Sequence, residues 1–330
     1  MSKMHSDNNR IDQRLSGAYI DIKDLLGARF AAKELKLQQR RKALSLLAGP
    51  NKTNFRGRGI EFEEVRAYQA GDDIRTIDWR VTARTGKAYT KLFQEERERP
   101  LLLMTDQRQS MFFGSQYCFK SVMACYLSAL IAWSGLHNSD RVGGLVFGNN
   151  GQQEIRPRRS RKSALALLHL MLEYNQALSQ NSALRFTPAQ HFEQSLIELR
   201  RIAKPGSAIY IVSDFAGYIG GADSVDSQHS ESVQKHMYQL SKHCEITAIF
   251  VYDPLEKMLP PPGQYTISNG QQRNLIHTGD RRLRENYSQH FSSRLESLHQ
   301  QLAKLGIPLI EACTNQAPLQ RLLHFYSARR

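Results

Sequence analysis

Two acidic side chains stand where an α/β sheet would hold a binding or reactive group. Asp106 follows the apolar run 101–105 and is followed in turn by Gln107, Arg108, Gln109 and Ser110, while Asp214 follows Ser213 and the apolar run 208–212. Ligands of an open parallel sheet gather outside the carboxyl ends of the strands, where the connections diverge. A carboxylate at each of two strand tips therefore predicts a common crevice that both acids face. A second constellation joins Asp72, Asp73 and Asp78 to Arg66, Arg75 and Arg84. Carboxylates this close together suit a divalent ion and metal-assisted hydrolysis. Yet arginines lie nearby in sequence and no histidine accompanies them, which favours a web of ion pairs fastening this stretch to the main domain. Tyr68 and Trp79 are then anchors in the seam, their polar tips still able to find hydrogen bonds; a partner-docking surface is the third reading.

The run 156–162 packs Arg156, Arg158, Arg159, Arg161 and Lys162 into seven residues. It is expected to be a loop leading into a helix. A solvated loop comes first, an acidic protein partner second, and phosphate attraction third, since the run lacks the interleaved aromatics that stack on bases. Other chemistries find no support. The sequence has no GxxxxGK[ST] phosphate loop, HExxH or GxSxG motif, and Gly57-Arg-Gly59 lacks the third glycine of a dinucleotide fingerprint. The eleven histidines are scattered, with only His236/His243 and His290/His299 loosely close, which gives a zinc site little basis.

The elements that must position these residues are legible from residue 100 onward. Short apolar runs alternate with segments of helical periodicity, the pattern of a parallel sheet with crossover helices. Strands are predicted over 101–105, 142–147, 208–212, 246–252 and 309–312. One helix carries Val122, Tyr126, Ala129, Leu130 and Trp133, the next Leu165, Leu168 and Leu172, and a third Phe192, Leu196, Leu199 and Ile202. Others are expected over 233–243, 282–305 and 319–326, with a loop over 216–229 and a hairpin within 265–277. Before residue 100, residues 1–52 read as a loose leader and a basic helix over 21–47, with 32–42 as a solvated face or a docking surface. Residues 53–99 read as short strands and turns packing on the main domain, which fills 100–330.

Composition sets the outer limits. The 330 residues are 41% hydrophobic, enough to fold, and carry a net charge of +14, which attracts polyanions, acidic proteins or anionic lipid without choosing among them. Cys118, Cys125, Cys244 and Cys313 form no CxxC pair and read as free buried thiols, Cys118 and Cys125 being spaced to share a helix face. Residues 1–14 have no apolar stretch of signal-peptide length. The uncharged run 121–139 holds too few strongly apolar residues for a membrane helix and reads as a core helix. A cytoplasmic protein without a membrane span is expected.

Asp106-x-Arg108-x-Ser110 occupies the place of the Asp-x-Ser-x-Ser motif of von Willebrand factor A domains, and Ser213-Asp214 the place of their later metal-site aspartate. More specifically, Arg66-Ala-Tyr68-Gln-Ala-Gly71-Asp72-Asp73-Ile-Arg75-Thr-Ile-Asp78-Trp79 with Thr82-Ala-Arg84 closely resembles the signature of the domain-of-unknown-function-58 family. Asp140-Arg141-Val142-Gly143 and Val212-Ser213-Asp214-Phe215 continue the match in order. The resemblance implies an α/β fold, an open and mostly parallel sheet with helices on both faces, von Willebrand factor A-like, plus a small N-terminal helical and short-strand segment. It also implies a partnership with a MoxR-type AAA+ ATPase and a client or a further von Willebrand factor A protein.

In its full form the site of such domains holds Mg²⁺ through Asp, Ser and Thr oxygens, and Thr187 is the candidate for the Thr position. Here Arg108 replaces the middle Ser. A guanidinium has five donors and no acceptor, so it cannot ligate a cation and repels one nearby; magnesium is possible only against that charge. Two alternatives follow: Arg108 stands in for the metal, bracing Asp106 and Asp214 while offering donors to an incoming carboxylate, or it makes an internal salt bridge that locks the loop. The expected function is a non-catalytic, metal-independent protein-binding adaptor, with a metal-dependent hydrolase on the aspartate cluster and a nucleic-acid binder as the alternatives.

Overall fold

The computed structural model describes residues 15–37, 60–69, 74–95, 99–179, 187–218, 227–268 and 273–327. Two compact units make up the chain: residues 1–39 with 99–330, and residues 40–98. Helix α1 (Ile22–Ala31) opens on Asp21, whose carboxylate accepts the N–H of Lys23, and buries Leu25, Ala28 and Ala31. It stops well short of the expected 21–47. Residues 32–37 leave the helix as turn and coil, and the rest of the expected span, 38–47, lies outside the described residues. Leu26 and Phe30, expected on its apolar face, are exposed.

The smaller unit is built on an antiparallel hairpin, β1 (Ile60–Ala67) with β2 (Tyr89–Glu95), interrupted by a register shift between Phe62 and Glu64. Between its strands lies α2 (Trp79–Thr85). Asp78 caps it by accepting the N–H groups of Arg80 and Val81, and Gly86 ends it in the left-handed conformation that glycine adopts without strain. Strands and turns are present here as expected, but the helix Trp79–Thr85 between them was not anticipated.

The larger unit carries β3 (Pro100–Gln107), α3 (Lys120–His137), β4 (Arg141–Gly148), β5 (Gly151–Arg158), α4 (Arg161–Gln176), α5 (Pro188–Ile202) and β6 (Ala208–Ser213). There follow α6 (Ser227–Ser241), β7 (Glu245–Tyr252), α7 (Pro254–Lys257), β8 (Gln264–Ser268), β9 (Arg273–His277), α8 (Arg281–Lys304), β10 (Leu309–Cys313) and α9 (Pro318–Ser327). Its six-stranded sheet runs β10-β7-β6-β3-β4-β5, all parallel except β5, which pairs antiparallel to β4 at the edge. This is the open, mostly parallel sheet expected, with β3 and β6 adjacent where the order reverses. The five apolar runs all became strands because both sheet faces are covered and continuous Val, Ile and Leu can be buried. Gly143 and Gly144 let β4 lie unusually close to its neighbours: a Cβ on Gly144 would sit 2.2 Å from the Leu103 carbonyl.

Two apolar clusters fill the faces. One gathers α1, α3, α4 and α9 on one side of the sheet, the other α5, α6 and α8 on the opposite side. Helix α3 is buried on nearly every residue, as expected of a core helix, and no helix among the described residues is long and apolar enough to cross a membrane. In α4 the inward face is Ala164, Leu167, Leu168 and Met171; Leu165 points outward and is 42% exposed, a correction to the predicted stripe. The run 156–162 is likewise corrected: Arg156 and Arg158 belong to edge strand β5, and only the residues between it and α4 form a turn. Residues 227–229 of the expected 216–229 loop already belong to α6, while 219–226 lie outside the described residues. All four cysteines are free thiols, Cys244 partly exposed; Cys118 precedes α3 rather than sharing its face with Cys125.

Candidate functional site

Strands β3 and β6 are neighbours, with Thr105 opposite Val212, so the residues after them emerge side by side at the sheet's carboxyl end. Asp106 and Asp214 therefore converge, as the two apolar runs predicted. Arg108 joins them. Its Nε donates to Asp106 Oδ1 at 3.0 Å and Oδ2 at 3.1 Å, and its Nη2 to Asp106 Oδ2 at 2.6 Å and Asp214 Oδ1 at 3.5 Å. Nη1 donates to the carbonyls of Pro188 at 2.7 Å and Ala216 at 2.9 Å. The Arg108 Cζ lies 5.2 and 5.4 Å from the centroids of the Phe147 and Phe192 rings, which meet edge to face, and a cation is attracted by the ring faces. Ser213 Oγ donates to Asp106 Oδ2 at 2.6 Å and accepts the N–H of Phe215. Phe215 itself is held at φ 52, a left-handed conformation that costs a non-glycine residue about 1–2 kcal/mol; the turn it makes lets Asp214 Oδ1 accept the N–H of Ala216.

A lysine completes the arrangement. Lys120, the first residue of α3, is 2% exposed and places its Nζ 3.3 Å from Asp214 Oδ2 and 2.7 Å from Glu256 Oε1 on α7. Five charges thus alternate in sign from Asp106 through Arg108, Asp214 and Lys120 to Glu256. Burial pushes the Asp214 carboxyl upward, but Lys120, Arg108 and Arg294 together with the Ala216 N–H outweigh it and hold it well below the usual carboxylate range. Burial lowers Arg108 and Lys120, and their carboxylate partners more than reverse this, so both stay charged. His191 on α5 is shifted the other way, its proton disfavoured first by burial and then by Arg108.

The site residues divide accordingly. Asp106, Arg108, Ser213 and Asp214 are brought together and buried. Ser110 sits exposed in a short 3₁₀ turn after them. Thr187 is the N-cap of α5, its hydroxyl accepting the N–H of Gln190 while the Gln190 side chain returns to the Thr187 N–H; its neighbour Pro188, not Thr187, supplies the Arg108 contact. In the smaller unit Asp78 caps α2, Arg66 donates to the Ala67 carbonyl, Tyr68 is half-buried and Arg75 and Arg84 are exposed. Trp79, expected as an anchor, is 67% exposed. Gly71, Asp72 and Asp73 lie outside the described residues.

The expectation that Arg108 offers donors to an incoming carboxylate is overturned by this geometry. All five of its N–H groups already meet acceptors within the chain, so the guanidinium is a lock rather than a receptor. Mg²⁺ does not fit either. The oxygens of both aspartates are engaged by a guanidinium, an ammonium and N–H or O–H donors, and a further cation would meet two fixed positive charges. Among the described residues no three His, Cys, Asp or Glu side chains gather as a ligand set. A cleft of about 260 Å³ at the tips of β3 and β4 is lined by Gln107, Asn149, Asn150, Gln153, Glu173 and Tyr174, with none of the predicted site residues. Lys120 and Glu256 are the participants that sequence reasoning missed.

The family model described as "Protein of unknown function DUF58" matches residues 64–296. A Mycobacterium tuberculosis protein, "Uncharacterized protein Rv1480", is 25% identical over 301 residues, 91% of this chain and 89% of that protein. "Uncharacterized protein Mb1516" of Mycobacterium bovis matches with the same identity and coverage. Among solved structures, the conserved hypothetical protein BatB from Bacteroides thetaiotaomicron is similar with a TM-score of 0.40 and 14% identity, covering 70% of this chain and 97% of that one.

Proposed function

Because this chain belongs to the domain-of-unknown-function-58 family, we propose that it is a non-catalytic, protein-binding adaptor that works in the cytoplasm with a MoxR-type AAA+ ATPase. The ATPase supplies the energy, and this chain recognises the client or the further von Willebrand factor A protein on which the pair acts. One observation carries the reading: the acids at the strand tips, where an α/β enzyme of this layout would keep its reactive groups, are neutralised from within by Arg108 and Lys120. A carboxylate held charged and saturated with donors is a poor general base and a poor metal ligand. The fold then serves as a rigid platform whose outer surfaces do the binding.

Titrating the full chain against a purified MoxR-type ATPase from the same organism, with complex formation and ATP turnover both recorded, tests this. A saturable complex and a changed turnover rate are expected. No complex up to about 100 μM, a range in which even weak functional contacts register, sinks the adaptor. Mg²⁺-dependent hydrolysis by this chain alone, lost in Asp78→Ala, puts the hydrolase in its place.

A further inference from the structure

We propose that the β8–β9 hairpin is a docking arm for an extended acidic segment of a partner protein, which adds to it as a third strand. This rests on the protein-binding reading above and names the surface that performs it. The hairpin leaves the main unit after β7, at the same end of the sheet as Asp214, and among the described residues its strands pair only with each other, from Gln264 opposite His277 to Ser268 opposite Arg273. Each strand therefore keeps one open edge of N–H and C=O groups, the template on which extended peptides assemble. Of its described side chains all are exposed except the half-buried Ile276.

A two-stranded ribbon is marginal in water by itself, yet this one is fixed at its base. Thr278, 1% exposed, donates its N–H to the Gly263 carbonyl at 2.9 Å and its hydroxyl to the Pro261 carbonyl at 2.7 Å. Arg284 on α8 reaches the carbonyls of Leu259, Pro260 and Thr278. The stem is thus braced while the blade stands free, the arrangement of an element presented to something else.

The surroundings say what that is. Met258 and Leu275 are 62% and 58% exposed, and Tyr265 and Leu283 are exposed as well, so apolar side chains accompany the open edges. Arg273 on β9, Lys257 at the end of α7 and Arg282 in the first turn of α8 are exposed, and none of the three pairs with a carboxylate among the described residues. The nearby acids are occupied: Asp280 caps α8, Glu285 pairs with Arg281, and Glu256 with Lys120. Directly opposite residues share a face, so Arg273, Leu275 and His277 lie on one side of the ribbon and Tyr265 with Ile276 on the other. A strand of alternating carboxylates and apolar side chains complements this, its carboxylates on the Arg273 face and its apolar groups over Tyr265 and Ile276.

The test uses the full chain and a labelled peptide of about ten residues alternating Glu and Val, followed by fluorescence anisotropy and by hydrogen exchange. Control peptides alternate Glu with Ser and Lys with Val. Saturable binding of the Glu–Val peptide is expected, at least roughly tenfold tighter than either control, with amides within 264–268 and 273–277 becoming protected. Leu275→Asp and Arg273→Glu should each weaken it about tenfold. So should a chain in which two glycines join Gly263 to Thr278, whose retained circular dichroism shows that the sheet is intact. Binding no tighter than the controls, protection confined to other segments, or displacement of the peptide by oligo-dT at equal charge would each overturn the arm. If the trimmed chain keeps both the peptide and the ATPase, the arm falls and the adaptor stands. Hairpin-dependent peptide binding without any ATPase complex keeps the arm and removes the adaptor.

Discussion

Arg108 with Lys120, and the basic run from Arg156 to Lys162, carry the same kind of charge to opposite ends. The first two are each 2% exposed and touch carboxylates at 2.6–3.5 Å. In the run, the Arg156 side chain is 78% exposed, 4.0 Å from Glu154, and Arg159 donates to the exposed Ser139 hydroxyl at 3.0 Å. Buried charges far from water must be matched, and removing one member leaves the others stranded, whereas exposed pairs are screened and contribute little. Density of charge along a sequence therefore says less than the place of a single charge in the fold.

The most severe way to break this contrast is Arg108→Ala. It leaves Asp106 buried opposite no cation and should destabilise the chain by about 3–5 kcal/mol, read as a lower urea midpoint. Combining it with Asp106→Ala should destabilise by clearly less than the sum of the two single changes; additivity would show that the lock is not one unit. Next comes acid. Asp214 is held below its ordinary range, so the stability it contributes is present above about pH 4 and is lost as pH falls through the folded value. His191, also lowered, adds a loss that begins as pH drops below about 6.5, because there the unfolded chain takes up a proton that the folded one refuses. Lys120 is raised, so its contribution holds below about pH 10.4 and fades above. Stability from these groups should be flat between about pH 6.5 and 10, and Asp214→Asn should remove most of the steep acid limb in urea titrations across pH.

Smaller effects sharpen the contrast from the other side. Thr187→Ala should lower stability by about 1 kcal/mol through the lost cap of α5, without changing the acid limb. Arg156→Ser and Arg158→Ser should each stay within about 0.5 kcal/mol of the parent. A loss as large as that of Arg108→Ala would erase the distinction between the two sets of cations.

The parallel strands were legible because each is a continuous apolar run between breaks, and the convergence of Asp106 on Asp214 followed from where those runs end. Strand β5 was not, since Gly151–Arg158 reads as polar and contains Pro157, which a sheet tolerates only at an edge. Arg108 was legible as a departure from the adhesion-type motif but not as a closed lock, because the Pro188 and Ala216 carbonyls that complete it are distant in sequence. Lys120 looked like an ordinary charge ahead of an apolar helix. A cation in the first turn of a helix opposes the helix dipole, and that mismatch was the available hint of a dedicated anionic partner.

The segment that opens the described chain has a consequence for biosynthesis. Ile20 donates its N–H to Asn175 at 2.8 Å, Trp133 to the Leu25 carbonyl at 2.9 Å and Ser134 to the Leu35 carbonyl at 2.6 Å. Residues 40–98, the other compact unit, intervene before β3 begins. During translation the early residues have no surface to settle on until α3 and α4 have left the ribosome, so the nascent chain must carry an apolar α1 unprotected while the smaller unit is made. That interval is when a holdase or a slow codon stretch would most affect the yield of folded protein.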